Sequence, residues 1–281
     1  MNGAETGIRR PGRGDRPEIE VRRRRANAWF AFWTAGRMQF RLGLRHSMTY
    51  AAGVLNSLMF LSILVLSRRE PLDPGSTTAI LTGTALAAFW ASSVWGGVAI
   101  LRRERLMVVF GRSITGVQDP LVLLTGKLLG ASVLNLAVVV ASLAVGCLIF
   151  GLRPAFGSPL GALLGFATVV LSGAAASLLV GALLVVSRHG VAISNAIGVP
   201  ISLLGGTLLP LPFLPEPVTW LSRLISLSWL QDFLHTATAG PIDWTPLGCA
   251  LALSLAYAAI GVFVFRRMVD RARRDATLDL F

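Results

Sequence analysis

Six runs of this chain contain no Asp, Glu, Lys or Arg: Ser47–Ser67, Thr77–Leu101, Leu128–Phe150, Leu160–Ser187, Val191–Leu209 and Leu247–Phe265. About 20 residues at 1.5 Å each are enough to cross a hydrocarbon layer of about 30 Å. All six reach that length, the last two narrowly, with 19 residues each. In hydrocarbon the backbone must satisfy its own polar groups, and uninterrupted runs of this length do so as helices. The expected fold is therefore all-α: a polytopic membrane protein with six transmembrane helices. Charged residues make up only 14% of the chain, against about 25% in a soluble domain. No soluble domain interrupts the runs, and no internal repeat is visible.

The flanking segments differ in kind. Residues 1–25 hold Gly, Pro and charge without an apolar run, and are expected to form a disordered basic cytoplasmic tail. No hydrophobic stretch of suitable length follows a short basic start, so no cleavable signal peptide is expected. In residues 26–46, Arg37, Arg41 and Arg45 recur every four positions, beside Trp29, Phe30, Phe32, Trp33 and Phe40. That pattern predicts an amphipathic helix lying in the membrane interface. Residues 47–265 form the six-span domain, and 266–281 a second cytoplasmic tail.

Basic residues set the orientation. With both termini inside, 22 of the 26 Lys and Arg residues fall on the cytoplasmic side, leaving Arg68, Arg69, Arg153 and Arg223 outside. This predicts a multi-pass plasma-membrane protein with cytoplasmic termini. A net charge of +12 would suggest nucleic acid on a soluble protein. Here its distribution follows the membrane, and no nucleic-acid partner is expected.

The chemistry missing from the spans narrows the function. An ion-coupled carrier ordinarily holds an ionisable group within the bilayer, and these runs have none. An intramembrane enzyme would need converging polar or metal-binding groups, whereas His46, His189 and His235 lie far apart and no His-Glu-x-x-His motif occurs. No catalytic or metal-binding residue is expected. Cys147 and Cys249 lie inside apolar runs and suit no metal spacing. Polar residues within the runs, Asn56, Ser57, Ser92, Ser93, Ser132, Asn135, Ser194 and Asn195, suit hydrogen bonding between helices. Gly173, Ser177 and Gly181 form a small-residue ridge expected to be a packing face. "LLTGKLL" carries a Gly-Lys pair, but Leu128 stands where a phosphate-binding loop needs Ser or Thr. If ATP drives this protein, another chain binds it together with magnesium.

The end of the fifth run reads "GGTLLPLPFLPEPVTW". Proline removes a backbone donor and clashes with the preceding turn, so no single regular helix crosses a bilayer there. The chain either turns and re-enters the membrane as short helices or forms an outer loop with Trp220 and Trp229 in the interface.

Two segments resemble one family. They are "LRRERLMVVFGRSITGVQDPLVLLTGK", between the second and third runs, and the proline stretch extended to "SLSWLQDFLH". Both are similar to the permease subunit of type-2 ABC exporters, including the daunorubicin-resistance-like permeases. The resemblance covers nearly all of the chain from about residue 26. It implies that Arg102, Arg103, Glu104 and Arg105 begin a coupling helix that docks on an ATPase; from their adjacency, Arg103 or Arg105 is expected as the local partner of Glu104. Lys127 falls at the family's Gly-Lys before span three. The family's Gly-Thr-Leu-Glu segment is replaced here by "RLMVVFG". The resemblance assigns Gly205, Gly206, Pro210, Pro212, Pro215 and Asp232 to a re-entrant hairpin between spans five and six. Phe89, Trp90, Ser93, Asn195 and Thr207 become candidates for the substrate path. The implied machine is an exporter of a hydrophobic or amphiphilic molecule such as a drug, antibiotic or lipid-like compound. It would pair this chain with a second permease copy, two ATPase subunits and membrane lipid. The alternatives from other classes are the ion-coupled carrier and the membrane enzyme.

Overall fold

The structure, a computed structural model, describes residues 16–45, 47–67, 74–106, 119–154, 157–185, 216–239 and 242–274. Those residues form helices α1 (Arg16–Arg45), α2 (Ser47–Leu66), α3 (Pro74–Leu106), α4 (Pro120–Phe150), α5 (Pro159–Val185), α6 (Glu216–Ser222), α7 (Ser226–Ala239) and α8 (Thr245–Arg274). The expected fifth span, Val191–Leu209, lies outside the described residues. So do the first 15 residues and residues 275–281. Four helices, α3, α4, α5 and α8, are long and apolar enough to cross a membrane, and α2 carries a shorter apolar stretch, Gly53–Leu66.

Several helices outrun their apolar segments, and their ends explain why. The first helix begins at Arg16 rather than at residue 26. Pro17, in its first turn, needs no intrahelical donor. Helix α4 begins at Pro120 instead of Leu128. Asp119 caps it by accepting a hydrogen bond from the Leu121 N–H at 2.9 Å, and Pro120 follows at the first helical position. Its other end is closed by Gly151 at φ 66°, a left-handed geometry that a side chain would strain. Helix α8 continues past Phe265 to Arg274.

Small residues set the tightest packing. On α5, Gly173, Ser177 and Gly181 face Phe89, Ser93, Gly97 and Leu101 of α3, four-residue steps on both helices. A Cβ at Gly97 would come within 2.4 Å of the Ser177 Cβ. The Ser177 hydroxyl donates to the Ser93 carbonyl at 2.7 Å across this seam. The ridge is thus a packing face, as its spacing predicts.

A second close approach joins α1 to α4. A Cβ at Gly126 would meet the Phe32 carbonyl oxygen at 2.4 Å, and one at Gly130 would meet that of Gly36 at 2.3 Å. The Gly-Lys of "LLTGKLL" is therefore helix interior, with Gly126 chosen for backbone contact. Two apolar clusters complete the bundle. One joins α2, α3, α4, α5, α7 and α8 around Leu86, Phe89, Leu230 and Phe233. The other joins α3, α4, α5 and α8 around Leu101, Leu128, Ala182 and Phe265.

Candidate functional site

Helices α3 and α4 run toward each other at the segment spanning residues 107–118, which lies outside the described residues. Their facing ends are tied by an ion pair between the Lys127 ammonium and the Glu104 carboxylate. The pair is mostly withdrawn from solvent, with side-chain exposures of 22% and 15%. Glu104 is thus joined to a residue 23 positions away rather than to Arg103, and the Arg105 side chain lies outside the described residues. Helical continuation explains this: with α4 starting at Pro120, Lys127 is the eighth residue of a helix packed beside α3. Arg102 and Arg103 are exposed.

The second group of interest is the hairpin of α6 and α7, joined through Arg223, Leu224 and Ile225. Helix α7 is amphipathic: Leu227, Leu230, Phe233, Leu234 and Ala237 recur at helical spacing and are all buried. Gly165 admits the Leu234 side chain, and Gly161 admits that of Ala237. Helix α7 therefore runs along the first half of α5, in the opposite direction. Its start is pinned at three points. The Ser226 and Ser172 hydroxyls share a 2.6 Å hydrogen bond. The Tyr257 hydroxyl donates to the Leu224 carbonyl. The Ser228 hydroxyl contacts the Ser222 carbonyl at 2.9 Å.

Asp232 accepts a hydrogen bond from Arg223 Nη1 at 2.6 Å. The Arg223 guanidinium also lies 4.5 Å from the Trp229 ring centroid, and Trp229 Nε1 donates to the Arg223 carbonyl at 2.9 Å. Sequence reasoning found Asp232 but not its partner; the i, i+9 spacing across a turn carries no helical signature. Gly205, Gly206, Pro210, Pro212 and Pro215 fall outside the described residues.

The path candidates separate. Phe89, Trp90 and Ser93 are buried, at 0%, 6% and 2% exposure. Phe89 and Ser93 sit in the α3–α5 seam, inside one chain, and offer no surface to a second copy. Asn195 and Thr207 lie outside the described residues. Among the described residues, no group of three or more His, Cys, Asp or Glu side chains could hold a metal ion.

A charge-poor bundle with a polar clasp between α3 and α4 and a helical hairpin before its last helix now has a counterpart. The sequence profile described as ABC-2 type transporter matches residues 28–237, about three quarters of the chain. The chain belongs to the ABC-2 type transporter family. No curated protein matches it. This ABC-2 chain is a membrane-embedded permease component of an ABC transporter, a transport subunit and not itself catalytic. The family works with ATPase partners, which gives the α3–α4 clasp its interest: it lies where the membrane chain turns back between two spans.

Proposed function

We propose that this permease is the membrane half of an ATP-driven exporter of hydrophobic or amphiphilic molecules, such as drugs, antibiotics or lipid-like compounds. Two separate ATPase subunits bind ATP and magnesium, and a second permease copy completes the path in the plasma membrane. The observation that carries this reading is the family match across residues 28–237. The Glu104–Lys127 clasp supports it, because it ties together the two helices that flank the expected coupling segment. ATP-driven closure of the ATPases would push on residues 102–118, and the clasp would pass that push to α3 and α4 together. Both termini are cytoplasmic in this scheme, in keeping with the basic-residue asymmetry.

The hairpin is read as re-entrant. Ser226 meets Ser172, the fourteenth residue of α5, which puts the turn about 20 Å along that helix. Tyr257, at the same turn, is the thirteenth residue of α8. A turn contacting two long apolar helices near their midpoints supports entry into the membrane and return. The Arg223–Asp232 pair would neutralise the charges carried there. The substrate path lies between two permease copies, with the span at 191–209 as its expected wall.

Affinity purification of the full chain from its native membrane tests the function. The expected result is a co-purifying ATPase with a phosphate-binding loop, and ATP-dependent, vanadate-sensitive uptake of an amphiphilic dye into inside-out vesicles. Uptake driven by a proton or sodium gradient without ATP would overturn the reading.

A further inference from the structure

Helices α1, α2, α3 and α4 line a half-open cavity of about 620 Å³ that is separate from the α3–α5 seam. Such a volume falls in the range of small-molecule sites. Most of its wall is apolar, but three carboxamides from three helices converge on it: Gln39 of α1, Asn56 of α2 and Asn135 of α4. Ser92 and Trp95 of α3 add a hydroxyl and an indole, and Arg103 stands at one end. Asn135 is 8% exposed. Its Nδ2 lies 3.4 Å from the position a Cβ would take on Gly96, another residue of the wall. Among the described residues, none of the three carboxamides has a hydrogen-bond partner. A buried amide without a partner is destabilising, and an apolar residue would fill the same helix position at lower cost. Asn135 is such a group, and the half-buried Gln39 and Asn56 stand on the same cavity; together they point to something that bonds them.

Charge fixes the orientation of that occupant. Arg103 is exposed and, among the described residues, has no ion pair, because the adjacent Glu104 is taken by Lys127. One end of the cavity is thus cationic and the rest neutral and apolar. From Ala88 to Arg103 the wall follows α3 for 15 residues, about 22 Å, close to the length of an extended sixteen-carbon chain. We propose that this cavity binds one anionic amphiphile, its acid group at Arg103 and its chain between α1, α2, α3 and α4, with hydrogen bonds from Asn135, Asn56 and Gln39. The site lies within a single chain and concerns binding, so it stands or falls independently of export.

The test uses the full-length chain in phosphatidylcholine nanodiscs and a palmitate probe carrying a mid-chain diazirine. Illumination should place adducts on the α3 and α4 peptides that contain Trp95 and Asn135. Excess palmitate should reduce them at least about fivefold, whereas hexadecanol, with the same chain and no charge, should not. Arg103→Gln and Asn135→Leu should each lower labelling by about the same factor. Asn135→Leu should also raise the unfolding temperature, which separates lost binding from misfolding. Adding phosphatidylglycerol to the discs identifies the source of the acid group. Suppression by that lipid assigns the site to a phospholipid head; suppression by palmitate alone assigns it to a free organic acid. Both results support the proposal. It is overturned if hexadecanol competes as well as palmitate, if the variants label like the native chain, or if the cavity takes up no probe.

Discussion

Replacing Gly126 or Gly130 by alanine should destabilise this protein, although the same change usually favours a helix. Removing a glycine from a helix interior gains up to about 1 kcal/mol. Here the new methyl would stand 2.4 Å from the Phe32 carbonyl oxygen at Gly126, and 2.3 Å from that of Gly36 at Gly130. At Gly130 the carbonyl carbon and the Cα of Gly36 would also lie at 2.9 Å. These are backbone atoms, so α1 must retreat from α4 by about 1 Å; overpacking of this kind costs about 1–3 kcal/mol, and more when nothing can rotate aside. The net loss should be about 1–2 kcal/mol for each variant. Gly36→Ala should be milder, because its nearest contact would be the Gly126 oxygen at 3.0 Å. The Gly126→Ala/Gly130→Ala double variant should lose less than the sum, since the first methyl already displaces α1. Gly53 provides the control: a Cβ there meets nothing within 4 Å. Gly53→Ala should hold or raise stability. Thermal unfolding in mild detergent, followed by the loss of monodisperse protein on gel filtration, reads all five. If both α4 variants unfold at or above the native temperature, the close crossing of α1 and α4 is refuted.

The remaining predictions concern polar contacts and topology. Glu104→Gln or Lys127→Gln should each cost about 1.5–3 kcal/mol of stability and reduce transport; the charge-swapped double variant should recover much of both, and failure of the swap to exceed the singles would remove the pair from the mechanism. Ser172→Ala strands the Ser226 hydroxyl and should cost about 1–3 kcal/mol, while Ser172→Ala/Ser226→Ala should be nearly neutral, as a double-mutant cycle would read. The Asp243 carboxylate accepts from the Thr245 N–H at 2.9 Å, which holds its pKa below the usual range. Its contribution is therefore present above the unfolded-state pKa of about 4 and lost as pH falls through the lower folded value. Asp243→Ala should fray α8 at neutral pH and match the native chain in strong acid, as hydrogen exchange at Thr245 and Leu247 would show. With Cys147 and Cys249 removed, a cysteine at Gly75 should react with an impermeant thiol reagent on intact cells, and one at Ser113 should not; labelling of Ser113 would reverse the orientation.

Charge-free runs were enough to locate the long helices, because burial in hydrocarbon leaves few other ways to satisfy a backbone. Their ends were less legible. The Asp119-Pro120 cap was not read, because an apolar-run criterion begins only at Leu128 and so separates Lys127 from its own helix. That error hid the Glu104–Lys127 pair, which depends on two helices meeting rather than on any local spacing. Gly173, Ser177 and Gly181 were readable as a packing face from their four-residue rhythm. Gly126 and Gly130 carry the same rhythm, obscured by comparison with a phosphate-binding loop. Rotation about the helix axis was not readable at all. Phe89 and Ser93 proved to face α5 because nothing in a uniformly apolar helix marks which side meets a neighbour. The convergence of Gln39, Asn56 and Asn135 on one cavity likewise needs three helices in place before it exists.

The seam between α3 and α5 has a mechanical consequence. Its contact positions on α5 are two glycines and a serine, side chains with little or no rotamer freedom, so the two helices cannot slip by small adjustments. They must tilt together, as a stiff beam. Helix α3 has 33 residues and is about 50 Å long; a tilt of roughly 6° about one end displaces the other by about 5 Å. One end of this beam carries Glu104, and its opposite half packs with Leu227, Leu230 and Phe233 of α7. A push at the clasp, if the proposed coupling holds, would reach the hairpin at the far side of the bundle with the α3–α5 beam as the lever and no relay of side-chain rearrangements between them.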